Sequence, residues 1–570
     1  MTTETDAAAT LAAAADDYWA QFLADEPVYA TSIGDRRYDD RLPDRSPEAI
    51  ADRRRRLAAL RDRVAGVDAG ALADSERVTL AELLGAIDRD DAVLSLDLEA
   101  WTVDPLEGPA VEALNLPSIE PIRTPEEGEA MVRRWEALGP WLDAHVENLR
   151  RGLADGRVAV RTPVRKTIEV IDEALAAPAD AFALLEPARE AHDDWPAEAV
   201  ERFRAGLGDT VDRFVRPALG RLRAFLADEV LAHVRPDETP AIRALPDGDD
   251  AYRALIAYHT SLPLTADELH RTGLDEVQRI DRELTELGRR VLGTSDRHEA
   301  VARLRDDPAL HFRSRDEVRA AAEEALARAQ AAIPGWFGRL PQAPCAVVPM
   351  PAHEEAFSTI AYYREPATDG SRPGQYYVNT SEPETRPRYE AQALAFHESV
   401  PGHHLQIAIS QELDDLPAFR RHLGPTAFFE GWGLYTERLA DEMGLYTGDL
   451  DRFGILSFDA WRACRLVVDT GMHALGWTRD QAIAFMVDHT ALGRNNIENE
   501  VDRYIVWPGQ ALAYKTGQLE ISRLRAAAEA RLGDTFDIRA FHDVVLGAGA
   551  VSLPTLAAAV DGWSGSKTTG

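Results

Sequence analysis

The sequence predicts a mostly α-helical protein with one small β-sheet, and three observations carry that prediction. Long stretches of the 570-residue chain place apolar residues at three- and four-residue spacing, the mark of helices that bury one face. Strong helix formers fill the positions between them. Only residues 345–380 break the pattern, with the short β-branched or aromatic runs "CAVVPM", "FSTIAYYR" and "GQYYVNT" separated by Pro and Gly, which read as strands.

In chain order, residues 5–235 read as helix after helix, from "DAAATLAAAADDYWAQFLAD" to "AVERFRAGLGDTVDRFVRPALGRLRAFLADEVL". Breaks fall at Pro- and Gly-rich points, and "RPDETPAIRALPDGDD" is the best boundary candidate. The predicted organisation is therefore an N-terminal helical region, 1–240, and a second region, 241–570, both parts of one unit. Helices resume at "TADELHRTGLDEVQRIDRELTELGRRVL" and "SRDEVRAAAEEALARAQAAIPGWF". The strands follow, and from 386 the pattern is helical almost to the end.

Composition narrows the function classes. With 45% hydrophobic and 28% charged residues the chain can bury a large core. A formal charge of −34 argues against nucleic acid or an anionic membrane as a partner. Cys345 and Cys464 lie far apart, as free thiols in a reducing compartment do. The start "MTTETDAAAT" lacks a basic leader region, and no run is long enough to cross a bilayer. The expected location is the cytoplasm.

Chemistry concentrates in "FHESVPGHHLQ", residues 396–406. It starts as the zinc-hydrolase signature His-Glu-x-x-His, but the fifth position is Pro401 and the next histidines are His403 and His404. A catalytic zinc needs three protein ligands and one open position, and an adjacent glutamate, here Glu398, can deprotonate bound water. On an unbroken helix, position +6 falls on the side opposite His397, while +7 has the right angle but lies about 10.5 Å farther along. Pro401 and Gly402 are the ingredients of a local bulge, and a two-residue bulge brings His403 to the place of the usual second ligand. His404 is the alternative. The following helix, "AFFEGWGLYTERLADEMG", offers Glu430 as third ligand, with Glu437 and Asp441 on the same face as supporting residues. One Zn²⁺ per chain is expected, though cobalt or manganese suit the same ligands.

Together "AFHESVPGHHLQ", "FFEGWGLYTERLADEMG", "RACRLVVDTGMHALGWTRDQA" and "EVDRYIVWPGQALAYKTGQLEI" resemble the bacterial domain of unknown function 885 family. The ending "LGDTFDIRAFHDVVLGAGAVSLPTL" and the early stretch "YWAQFLADEPVYATSIGDRRYDDRLPD" extend the resemblance over nearly the whole chain. That family is in turn distantly similar to the helical zinc peptidases: angiotensin-converting enzyme, thimet- and neurolysin-type oligopeptidases, and thermostable carboxypeptidases. Those carry His-Glu-x-Gly-His and a glutamate on the next helix, so the resemblance supports His403 and Glu430. It implies a helical ellipsoid with a deep channel and the small sheet beside the zinc-site helices. The insertion around Val400 and Pro401 is the departure from their pattern.

The resemblance also implies that Tyr504 supports the oxyanion, with Tyr514 as second choice. On "WRACRLVVDTGMHALGW" the residues Arg465, Asp469 and His473 form one polar stripe. The expectation is that Asp469 orients His473 and that Arg465 or Arg462 meets a substrate carboxylate. Tyr376, Tyr377 and Asn379 are candidates for an extended substrate that adds as a strand. The predicted function is a zinc-dependent hydrolase of short peptides or small amides. A metal-dependent amidase or lyase on a small molecule, and a metal-binding scaffold without catalysis, are the alternatives.

Overall fold

A computed structural model describes residues 2–178, 181–351, 355, 359–368, 370 and 372–564. Helices account for most of them, and three short strands form the one sheet found among the described residues. The mostly α fold with a small sheet is the predicted one. No helix among these residues is long and apolar enough to cross a membrane.

The chain divides into two compact units, one of residues 16–66 and 90–248, the other of 1–15, 67–89 and 249–570. The boundary read near 240 lies close to the last crossing at 248, but two early stretches belong with the C-terminal unit. Composition marks where a chain loosens; contacts decide which segments pack together. In the first unit, α1 (Leu138–Ala154) and α2 (Arg216–Phe225) turn Leu138, Leu142, Leu219 and Leu222 into a core with Trp135, Val164 and Leu207. Burying these large side chains is what holds the helices together.

The second unit carries every candidate site residue. Its α3 (Ala266–Val291) opens with a capping box, in which the Glu268 N–H donates to Thr265 Oγ1 (3.3 Å) and the Thr265 N–H donates to Glu268 Oε2 (2.9 Å). The α4 helix (Arg315–Ala332) leads to β1 (Cys345–Pro349), β2 (Ala361–Arg364) and β3 (Gly374–Val378). Strand order is β1-β3-β2, with β3 parallel to β1 and antiparallel to β2. Next come α5 (Ala391–Glu398), α6 (His403–Gln411) and α7 (Thr426–Glu442), then α8 (Arg452–His473), α9 (Arg494–Val506) and α10 (Leu512–Leu532). The sheet packs on α5 and α6, as expected, and α5 lies against α7 and α8. Helices α7 and α10 approach so closely that a Cβ on Gly517 would stand 1.9 Å from the Ala427 carbonyl oxygen.

Candidate metal centre

The interrupted motif is two helices and a turn, not one helix with a bulge. Helix α5 ends at Glu398, Ser399–Gly402 turn the chain through a cis Val400–Pro401 bond, and α6 starts at His403. The Trp432 indole N–H from α7 donates to the Pro401 carbonyl (2.9 Å), and the His404 N–H donates to the Ser399 carbonyl (3.0 Å). Only glycine fits at 402, since a Cβ there would lie 1.9 Å from the His397 carbonyl oxygen. The bulge expectation failed because the turn is stabilised by a residue of another helix.

This turn sets the two rings face to edge, His397 and His403 lying 4.6 Å apart between centroids at 85°. Their Nε2 atoms are each 3.6 Å from Glu430 Oε2. The three ligand atoms all lie within 4.8 Å of one another. Tetrahedral zinc with bonds of about 2.0–2.1 Å separates its ligand atoms by about 3.4 Å, so the spacing suits such an ion. Two imidazoles and one carboxylate are also a donor set that zinc accepts.

His397 is held from behind. Its Nδ1–H donates to Glu437 Oε1 (2.8 Å), and both side chains are almost fully buried. Glu437 stands two helical turns after Glu430 on the same face of α7. Between them Gly433 makes room, because a Cβ there would come within 2.6 Å of the His397 ring. Burial alone would lower the His397 pKa, but Glu430, Glu437 and Glu398 outweigh it and push it up to about 9. Burial would likewise raise the Glu430 carboxyl, yet His397 and His403 hold it well below the usual carboxylate range. The pocket of charge is one that favours a cation. The spacing E-G-W-G-x-x-x-E on one helix was the signal that could have promoted Glu437 from a supporting residue to the partner of a ligand.

His404 takes no part in this group. Its Nε2–H donates to the Ala343 carbonyl (3.0 Å), and Tyr363 donates to its Nδ1 (2.9 Å). Both ring nitrogens are spent, and burial pushes its pKa down to about 4. Glu398, by contrast, is half-buried and has no hydrogen bond or ion pair to the described residues. Its charge is felt by His397 and by Tyr376 of β3.

Several other predicted roles change. Tyr504 is 1% exposed and donates its only proton to Glu500 Oε2 (2.6 Å), while accepting from Trp461 Nε1 (3.1 Å) and Arg465 Nε (2.9 Å). It has no proton left for an oxyanion. Tyr514 stays in play: buried against the Arg465 guanidinium (4.2 Å to the ring centroid), its hydroxyl is raised by burial and then by Glu430. Asp469 accepts from the Tyr252 hydroxyl (2.5 Å) and the Gly509 N–H (3.2 Å), while His473 Nε2–H donates to the Tyr504 carbonyl (2.9 Å). These contacts tie α8 to its neighbours instead of presenting a His–Asp pair.

An added substrate strand on β3 is excluded, because β3 is paired on both sides. Tyr377 points away from buried Tyr376, stacks on Tyr362 (4.7 Å, 17°) and donates to Gln375 Oε1 (3.0 Å). Asn379 donates to the Glu355 carbonyl (2.8 Å). Asp441 pairs with Arg452 (2.8 Å), and its carboxylate is partly exposed. Alternation along a strand could have told Tyr376 from Tyr377, but not which face meets α5.

A family model described as "Bacterial protein of unknown function (DUF885)" matches residues 27–560. No curated protein matches the chain. Among solved structures, a protein of Colwellia psychrerythraea described as a "putative lipoprotein" is similar at 27% identity and a TM-score of 0.90, over 98% of this chain and 99% of that one. A second, from Shewanella oneidensis and described in the same words with unknown function, shares the fold at 18% identity and a TM-score of 0.74, over 96% and 99% of the two chains.

Proposed function

The chain belongs to the DUF885 family of bacterial proteins, and from that premise we propose a zinc-dependent hydrolase of peptide or related amide bonds. One observation carries the reading: His397, His403 and Glu430 converge beside Glu398, whose carboxylate has no partner among the described residues. A structural metal site has no use for such a base. The resemblance to helical zinc peptidases supports the same assignment.

In this reading His397, His403 and Glu430 hold the ion, and Glu437 fixes the ring of His397 in the donor orientation. Zinc supplies a Lewis acid for the scissile carbonyl and lowers the pKa of water. Glu398 removes a proton from the attacking water and returns it to the leaving amine. Tyr514 takes the oxyanion role first given to Tyr504, since its hydroxyl lies within the field of Glu430. Short peptides and small amides are the substrates of this proposal.

The cytoplasmic location also stays a proposal. The free cysteines Cys345 and Cys464 suit a reducing compartment, whereas the two solved structures are each described as a "putative lipoprotein". Fractionation of cells tests the cytoplasmic location.

The primary test is metal content by mass spectrometry. Wild type should carry about one zinc, His403→Ala should lose it, and His404→Ala and Glu398→Gln should keep it. Glu398→Gln should also abolish cleavage in a peptide library. Turnover of one small amide alone would point to the pathway-enzyme alternative. Wild type that stays metal-free with zinc supplied would leave the scaffold reading.

A further inference from the structure

Five arginines are buried among the described residues: Arg134, Arg235, Arg420, Arg462 and Arg465. Four of them donate to a carbonyl, hydroxyl or carboxylate. Arg462 does not. It is 5% exposed, its Nε and Nη1 are buried without a partner, and it has no hydrogen bond or ion pair to the described residues. Its guanidinium lies against two aromatic rings, 4.6 Å from the Phe458 centroid and 4.2 Å from that of Trp461.

The neighbours leave further donors open. Arg465 gives Nη2 to Glu500 (2.9 Å) and Nε to Tyr504, but its Nη1 is buried and unpartnered. Arg503 stands 3.4 Å from the same Glu500 oxygen, with Nε and Nη2 lacking a hydrogen bond. One carboxylate thus serves the two guanidiniums of Arg465 and Arg503. The carboxylates acting on Arg462 are Glu437 and Glu430, engaged by His397 and His403, and the buried Glu390, which accepts from Ser457 Oγ (2.6 Å) and makes no ion pair with Arg462. Burying a cation and its donors without an anion is unfavourable. Packing alone does not explain it, because an apolar side chain fills such a place at lower cost.

Helix α8 places this group next to α5, α7 and α10, which carry His397, Glu430 and Tyr514. We propose that Arg462, joined by the open donors of Arg465 and Arg503, binds a carboxylate of the substrate, and so selects peptides with a free carboxylate near the scissile bond. The planar fork of arginine matches a carboxylate through two parallel hydrogen bonds. A dianion such as phosphate would meet Glu430 and Glu437 at close quarters, which favours the singly charged group. The carboxylate comes from the peptide C-terminus or from an acidic side chain. The inference rests on the metal site as reacting centre.

The test uses zinc-loaded, full-length Glu398→Gln protein and calorimetry. Three probes are titrated: N-acetyl-tetraalanine as free acid, its C-terminal amide, and N-acetyl-Ala-Ala-Glu-Ala amide. The free acid should bind about a hundredfold more tightly than the amide, and Arg462→Gln in the same background should remove that difference at unchanged zinc content and melting temperature. Arg462→Lys should restore only part of it, since an ammonium cannot bind in the forked mode. Tight binding of the glutamyl amide assigns the site to an acidic side chain instead. Equal binding of all three probes, or discrimination that survives Arg462→Gln, overturns the inference. Discrimination without cleavage of any peptide by wild type would sink the hydrolase and leave the carboxylate site standing.

Discussion

Two buried ionic clusters sit about one turn apart on α8 and are built in opposite ways. Around Asp459 the charges are met. Its carboxylate is bound by Lys515 and accepts from Arg279 Nη2 (3.0 Å) and Arg438 Nε (3.0 Å), while Lys515 also reaches Glu276 (2.9 Å) and donates to Gln518 Oε1 (2.8 Å). Burial would raise the Asp459 carboxyl, but Lys515, Arg438 and Arg279 together hold it far below the usual range. Around Arg462 the donors stay open. Asp459 and Arg462 are both buried; their satisfaction differs. The first cluster ties α3, α7, α8 and α10 together, and the second fits a ligand, so a buried charge is informative only once its partners are counted.

The largest effect should come from Asp459→Asn. Three cations lose their shared anion, and urea unfolding should show a loss of about 3–5 kcal/mol. A loss below about 1 kcal/mol would mean that the network is worth no more than a surface pair, and the contrast would collapse.

A smaller effect is expected at Glu437→Gln, which keeps the shape behind His397 but weakens its partner. Zinc affinity, measured by chelator competition, should fall about 10- to 100-fold with the fold intact. Unchanged affinity would remove Glu437 from the metal site.

The smallest effect belongs to Arg462→Met. Because this cation has no hydrogen bond or ion pair to lose among the described residues, and methionine can pack on the same two rings, stability in urea should stay within about 1 kcal/mol of wild type or rise. A loss as large as that of Asp459→Asn would show that Arg462 holds the fold, and would end its role as a free donor.

How far the site could be read beforehand differs from residue to residue. His397, Glu398 and Glu430 follow from side-chain chemistry and helix spacing, which are local. The choice of His403 over His404 was reached through a bulge that does not exist, since the turn depends on the Trp432 indole and on the space around Gly402. The sequence offers Tyr504 as an oxyanion donor, but Glu500, one turn earlier on the same helix, takes its proton. Tyr377 failed for a geometric reason: alternate residues of β3 face opposite ways, and only packing on the helices tells which way is inward.

The sequence by itself determined the helical periodicity, the place of the three strands and the residue types able to hold a metal, because these depend on spacing within a few residues. Tertiary structure alone decided the two-helix break, the pairing of His397 with Glu437, the paired state of Asp459 and, among the described residues, the unpaired donors of Arg462. Each of those depends on which distant segment supplies the neighbouring atom, and a hydrogen bond over 3 Å carries no mark in the sequence of either partner.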